Sequence, residues 1–180
     1  MTSEHVLRPA RSSDRDTMRA LLSEASADGL SLPFLEVPLG MIDDHWIAAA
    51  CCYVAVDPAG QLLAMYRMGP NMVGRGNHVC SATYVVASSA RRRGLGKKMV
   101  VHSLQQATKA GYDAMQFNYV IDGNDAALKL YESLDFIVVG RLPGAFDHAV
   151  LGKIDALVLF RQLDKGSGVL LASERPSGQS

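Results

Sequence analysis

The sequence predicts a single α/β (α+β) domain whose mixed, mostly antiparallel central sheet carries helices on both faces. Three observations lead there. The chain has 180 residues and 48% apolar content, the size of one domain with a sizeable core. Its middle third holds three consecutive β-rich runs, which pair antiparallel when joined by tight turns. The last of these runs is followed by two strand–helix–strand crossovers, the connection that places parallel neighbours in a sheet and helices on its faces.

His5 to Arg8 reads as a short first strand. After Pro9, "SSDRDTMRALLSEAS" has Ser12 or Ser13 as helix N-cap and Met18, Leu21 and Leu22 at helical spacing. "ADGLSLPFLEVPLG" carries two prolines and two glycines and reads as a loop of the length that often lines a binding site. "MIDDHWIAAA" then gives a second helix with Asp43 or Asp44 near its start. From Cys51 the period becomes two: "CCYVAV" and "QLLAMYRM" flank the turn "DPAG" as a hairpin, and after the glycine-rich "GPNMVGRGN" the run "HVCSATYVVA" forms a half-buried strand. "LGKKMVVHSLQQATKAG" sets Leu95, Met99, Val100 and Leu104 on one helical face, with Gly111 as C-cap. "YDAMQFNYV" is a strand, "GNDAALKLYESLD" a helix capped by Asn124, and "FIVVGRL" and "DALVLFRQL" the last two strands. Residues 1–163 therefore make the domain, and the Gly- and Ser-rich residues 164–180 read as a flexible tail.

Charge and cysteine usage exclude several function classes. Lys+Arg and Asp+Glu balance at 18 each, so no global field draws the protein to nucleic acid or an anionic membrane. The three cysteines, Cys51, Cys52 and Cys80, fit neither a disulfide framework nor a zinc ribbon and read as buried thiols in a reducing compartment; no metal site is expected. The N-terminus lacks the apolar core of a secretion signal, and the apolar run from Trp46 to Val56 is too short to span a bilayer, so a cytoplasmic location is expected.

The chemistry-bearing stretch is "VVASSARRRGLGKKMV". Gly94 and Gly96 at a helix start let a ligand approach the backbone, where unpaired N–H groups and the positive end of the helix dipole favour phosphate. By itself this pattern is equally a solvated basic loop capping a helix. It is neither a P-loop nor the dinucleotide GxGxxG.

Arg91, Gly94 and Gly96 match [QR]-x-x-G-x-[GA], "NDAALKLYESLDF" matches N-x-x-A-x-x-L-Y-x-x-x-G-F with Asp135 in the glycine's place, and "LRPARSSDRDTM" stands where a first strand and helix belong. Across residues 5–163 the arrangement resembles the GNAT superfamily of acyl-CoA-dependent N-acyltransferases. The resemblance implies acetyl-CoA as co-substrate. Its pyrophosphate would lie on the backbone of Arg91, Arg92, Arg93, Gly94, Leu95, Gly96 and Lys97, and its pantetheine arm along the strand at Val85 and Val86. That strand would splay from its neighbour "MQFNYV", with Phe117 and Asn118 at the mouth.

The resemblance also implies that a backbone N–H near Val85 or Val86 serves the oxyanion, that Tyr131 protonates the departing thiolate, and that Asn124 contacts pantetheine besides capping its helix. The family often has proline and glycine where this chain has Ser88 and Arg92. No general base stands out among Glu36, Asp43, Asp44, His45, His78 and Tyr84. Within the superfamily, "GRGNHVCSATYVVASSARRRGLG" and "FNYVIDGNDAALKLYESLDF" are most similar to the fungal N-acetyltransferases that detoxify azetidine-2-carboxylate and related proline analogues, which implies positioning roles for Asn77 and Asn118. The expected partner is a small-molecule amine. Protein N-termini or lysines are the alternative acceptors, a catalytically silent acyl-CoA-binding module is the alternative class, and the family's frequent dimers make a homodimer compatible.

Overall fold

The computed structural model describes residues 5–27, 32, 36–38, 40–49 and 51–164. Within them, period-two segments pair into one seven-stranded sheet: β1 (Val6–Pro9), β2 (Cys51–Val56), β3 (Leu62–Pro70), β4 (Val79–Val86), β5 (Ala114–Ile121), β6 (Ile137–His148) and β7 (Gly152–Gln162). The spatial order is β1-β2-β3-β4-β5-β7-β6. Every neighbouring pair is antiparallel except β4 and β5, which the crossover through α2 makes parallel. The predicted mixed, mostly antiparallel sheet is therefore observed.

Three α-helices cover the sheet: α1 (Arg15–Ala27), α2 (Leu95–Lys109) and α3 (Asp125–Glu132). On α1 the buried residues Met18, Leu21, Leu22 and Ala25 follow the spacing of one helical stripe. On α2 the stripe is Leu95, Met99, Val100, Ser103, Leu104 and Ala107. The register aligns Tyr53, Tyr66 and Tyr84 across β2, β3 and β4, and these rings lie beneath α2. There Tyr66 Oη is 2.8 Å from His102 Nδ1, and Tyr84 Oη is 2.6 Å from Ser103 Oγ. Phe117 on β5 meets Tyr84 on this face and also Tyr131 of α3, so α2 and α3 share it. Arg67, the next residue after Tyr66 and hence on the opposite face, donates from Nη1 to the His45 carbonyl at 2.9 Å. His45 sits in a π-helical segment, Met41–Ile47, and Arg15 of α1 pairs with Asp43 of that segment at 2.6 Å. The second face thus belongs to α1 and this segment.

Several local expectations change. Neither Ser12 nor Ser13 caps α1: residues Ser12–Asp14 form a 3-10 turn, and Asp14 accepts from the Arg11 N–H at 2.8 Å. Asp14 also takes two bonds from Arg8, at 2.7 and 2.8 Å. The Arg8 guanidinium holds the Asp14 carboxyl below the usual carboxylate range. The second helix is a π turn rather than an α-helix. β6 and β7 run past their predicted ends to meet at His148 and Gly152, because "PGAFDHAVLGK" continues the ladder despite its proline and glycines. Cys80 is buried as expected, whereas Cys51 and Cys52 are only half-buried. The predicted tail, apart from Asp164, and most of the loop before Gly40 lie outside the described residues. Among those described, no helix is long and apolar enough to cross a membrane.

Candidate active site

A gap opens in the middle of the sheet. β4 and β5 pair only at Val79↔Ala114 and Cys80↔Met115. Beyond Cys80, β4 continues to Val86 held only by β3, and β5 continues to Ile121 held only by β7. The sequence of β5 supplies a cause: its register on β7 shifts between Phe117 and Val120, so Asn118 and Tyr119 form a bulge, which bends the strand. A central strand left with one free backbone edge offers N–H and C=O groups to an extended ligand. Val85 and Val86 lie on that free stretch.

At the far end of the gap the chain turns into α2. Arg92 and Gly94 both take left-handed backbone, at φ 63 and 75. The position where the family often has glycine is thus one where glycine removes strain. Lys98 N–H bonds to the Gly94 carbonyl at 3.1 Å, the first helical bond. Among the described residues, the N–H groups of Arg92, Arg93, Gly94, Leu95, Gly96 and Lys97 have no internal acceptor. Six consecutive donors at a helix N-terminus suit an anion such as pyrophosphate. Arg91 differs from the expectation, since its N–H is committed to the Ser88 carbonyl at 3.3 Å. A Cβ added at Gly94 would meet nothing within 4 Å, so that glycine leaves open space in front of the donors. A Cβ at Gly96 would touch Leu130 Cδ2 at 3.7 Å, an ordinary packing contact. Leu95 and Met99, both buried, seat the turn on the core.

Tyr131 reaches the gap from α3. Its ring lies 4.6 Å from Phe117 and 5.7 Å from Phe136, centroid to centroid. Burial pushes the phenol up to about 12, so it is protonated at every physiological pH. Its hydroxyl has no partner among the described residues, nor is it sealed from solvent. Asn124 caps α3 by accepting from the Ala127 N–H at 3.2 Å, and its amide N–H2 has no partner among the described residues.

On the second face the gap meets a polar pocket of ≈ 300 Å³ lined by Arg67, Gly69, Asn71, Ser81 and Asn118 among others. Asn118 donates to Asn71 Oδ1 at 2.6 Å and accepts from Gln116 at 2.7 Å. Asn77 does not join them: it is exposed in the turn before β4, its N–H bonded to the Gly74 carbonyl. The six residues considered as bases divide similarly. Asp43 is tied to Arg15, Tyr84 is bonded to Ser103 and pushed well above its ordinary value by burial, and Glu36, Asp44, His45 and His78 are exposed outside the pocket lining. Arg67 and Asn71 were missed by motif reading. An arginine interrupting the apolar run "LLAMYRM" was the available signal.

Comparison with known proteins agrees with this geometry. The model of the acetyltransferase (GNAT) family matches residues 17–136. A GCN5-related N-acetyltransferase from Kribbella flavida superposes with a TM-score of 0.84 at 32% identity, over 88% of this chain and 98% of that one. A GNAT superfamily phosphinothricin acetyltransferase from Sinorhizobium meliloti, solved in complex with acetyl-CoA, shares the fold with a TM-score of 0.81 at 17% identity, over 93% and 91% of the two chains. The N-acetyltransferase aca1 of Schizosaccharomyces pombe is 30% identical over 91 residues, 51% of this chain and 44% of the relative. The chain thus matches less than half the length of that relative. With a family model over more than half its length and a solved relative aligned almost end to end, the chain belongs to the GNAT acetyltransferase family.

Proposed function

We propose that the protein transfers an acetyl group from acetyl-CoA to the amine of a small molecule, namely an amino acid, imino acid or antimetabolite. The observation that carries this reading is the β4–β5 gap, which joins a row of unpaired N–H donors at one end to a small polar pocket at the other. Acetyl-CoA supplies an activated thioester. Three features of the chain fit it: the donors from Arg92 to Lys97 would hold the pyrophosphate, the free edge of β4 at Val85 and Val86 would pair with the pantetheine amides, and the Asn124 amide would contact the same arm. The pocket volume is at the lower end for ligand sites, which favours a small acceptor over a polypeptide. The resemblance of the motif segments to proline-analogue acetyltransferases, noted from the sequence, supports the same reading.

In the reaction the neutral amine attacks the thioester carbonyl, a C–N bond forms and the C–S bond breaks. A β4 backbone N–H near Val85 or Val86 stabilises the oxyanion. Tyr131, at the gap, would serve the leaving sulfur. With its phenol at about 12 against about 8.5 for a thiol, full proton transfer to the thiolate is uphill, so Tyr131 acts mainly as a hydrogen-bond donor. Asn118 positions the acceptor, and Asn77 lies outside the pocket. An amide cannot serve as a strong base, so the amine proton leaves through water and rate depends on positioning.

A thiol-release assay with acetyl-CoA over amino acids, proline analogues, polyamines and aminoglycosides tests the proposal. Turnover of a small amine is expected. Thermal stabilisation by acetyl-CoA with no acceptor turned over would leave only a silent binding module, and no stabilisation at any concentration would refute the cofactor assignment.

A further inference from the structure

We propose that Arg67 is a specificity residue that binds a carboxylate of the acceptor, so that the substrate is an amino or imino acid rather than a plain amine. This rests on the acetyltransferase reading above. Arg67 stands on β3 opposite Thr83 of β4, two residues along from the Gly69↔Ser81 pair, and it lines the pocket at the open side of the gap. It is half-buried, and among the described residues no carboxylate lies within ion-pair distance of it. A half-buried guanidinium with N–H groups to spare is open to an anionic ligand.

The surrounding groups favour the same ligand. One Arg67 donor is spent on the His45 carbonyl at 2.9 Å, which fixes the side chain. The remaining N–H groups form a fork of the kind that binds carboxylates in bidentate fashion. Asn118 uses Asn71 Oδ1 as acceptor, which leaves the Asn71 N–H2 as a donor, and the Ser81 hydroxyl adds another. Among the described residues, the pocket lining holds no acidic side chain. Neighbouring strands lie about 4.8 Å apart, so a carboxylate held from β3 brings an amine on the adjacent carbon toward β4, where the gap begins.

The test compares kcat/KM for amino acids with that for their α-amides and decarboxylated amines, in the wild type and in Arg67→Gln and Arg67→Lys. The wild type should favour the free carboxylate by roughly 10- to 100-fold. Arg67→Gln should abolish that preference through KM while retaining the acetyl-CoA thermal shift and turnover of the carboxylate-free amine, and Arg67→Lys should restore part of it. Equal use of amino acids and their amides by the wild type overturns the proposal without any mutant, leaving the acetyltransferase reading intact. Retention of the preference by Arg67→Gln also overturns it. If no amine is acetylated, that reading fails, and calorimetric titration of amino acids against their amides still decides whether Arg67 selects the carboxylate.

Discussion

Gly94 and Gly96 look equivalent in the motif, and the structure separates them. Gly94 is left-handed with open space before it, so Gly94→Glu combines about 1–2 kcal/mol of backbone strain with a side chain standing in front of the donors. It should abolish the thermal shift given by acetyl-CoA. Gly96 is helical, and its missing Cβ would pack on Leu130. Gly96→Ala should therefore raise stability by about 0.5–1 kcal/mol and keep that shift, checked by chemical denaturation with and without acetyl-CoA. Asp135, where the family has glycine, sits at φ 60. Its approach to Arg161 at 3.9 Å is exposed and contributes little, so relief of strain decides the outcome. Asp135→Gly should stabilise the protein by about 1 kcal/mol, and a lower denaturation midpoint would contradict this account.

At the scale of elements, α3 is tethered to the gap by rings rather than by polar bonds. Tyr131, Phe117 and Phe136 pack together, and the Tyr131 hydroxyl has no partner among the described residues. Tyr131→Phe should consequently leave the fold and acetyl-CoA affinity near wild type while lowering kcat about 10- to 100-fold, since only the donor to the sulfur disappears. Unchanged kcat would remove Tyr131 from the reaction. Because the phenol is held at about 12, the wild-type kcat profile should show no alkaline limb from Tyr131 below about pH 11. β4 is asymmetric in a related way. Its β3 edge is fully laddered from Cys80 to Val86, which holds it straight, and its β5 edge is free from Ser81 onward.

For the whole molecule, pH acts through groups that the core keeps neutral. Burial pushes the thiols of Cys52 and Cys80 from 9.0 up to about 12, and Tyr131 from 10.0 to about 12. The unfolded chain sheds these protons first, so above about pH 9 it binds fewer protons than the fold and stability falls as pH rises toward 12. Below that range the contribution is fully present. Urea midpoints measured from pH 8 to 11 should decline, and a flat profile would contradict it. The order of elements, the apolar stripes of α1 and α2, the Asn124 cap and the glycine-marked turn into α2 were all legible in the sequence, because each is set by residues within a few positions of one another. The ends of β6 and β7 were less so, since pairing between the two strands overrides local turn signals. Of the pocket only Asn118 was legible, through the family resemblance. Arg67, Asn71, Ser81 and Asn118 come from three strands and a loop, and Asn77, adjacent to the motif in sequence, stays outside. By itself the sequence determined the sheet, the helices and the backbone donors at Gly94. The opening between β4 and β5 was implied by the family resemblance, but only tertiary structure decided at which residue it begins and which other side chains face it, because strand register and the β5 bulge bring together residues that no local pattern relates.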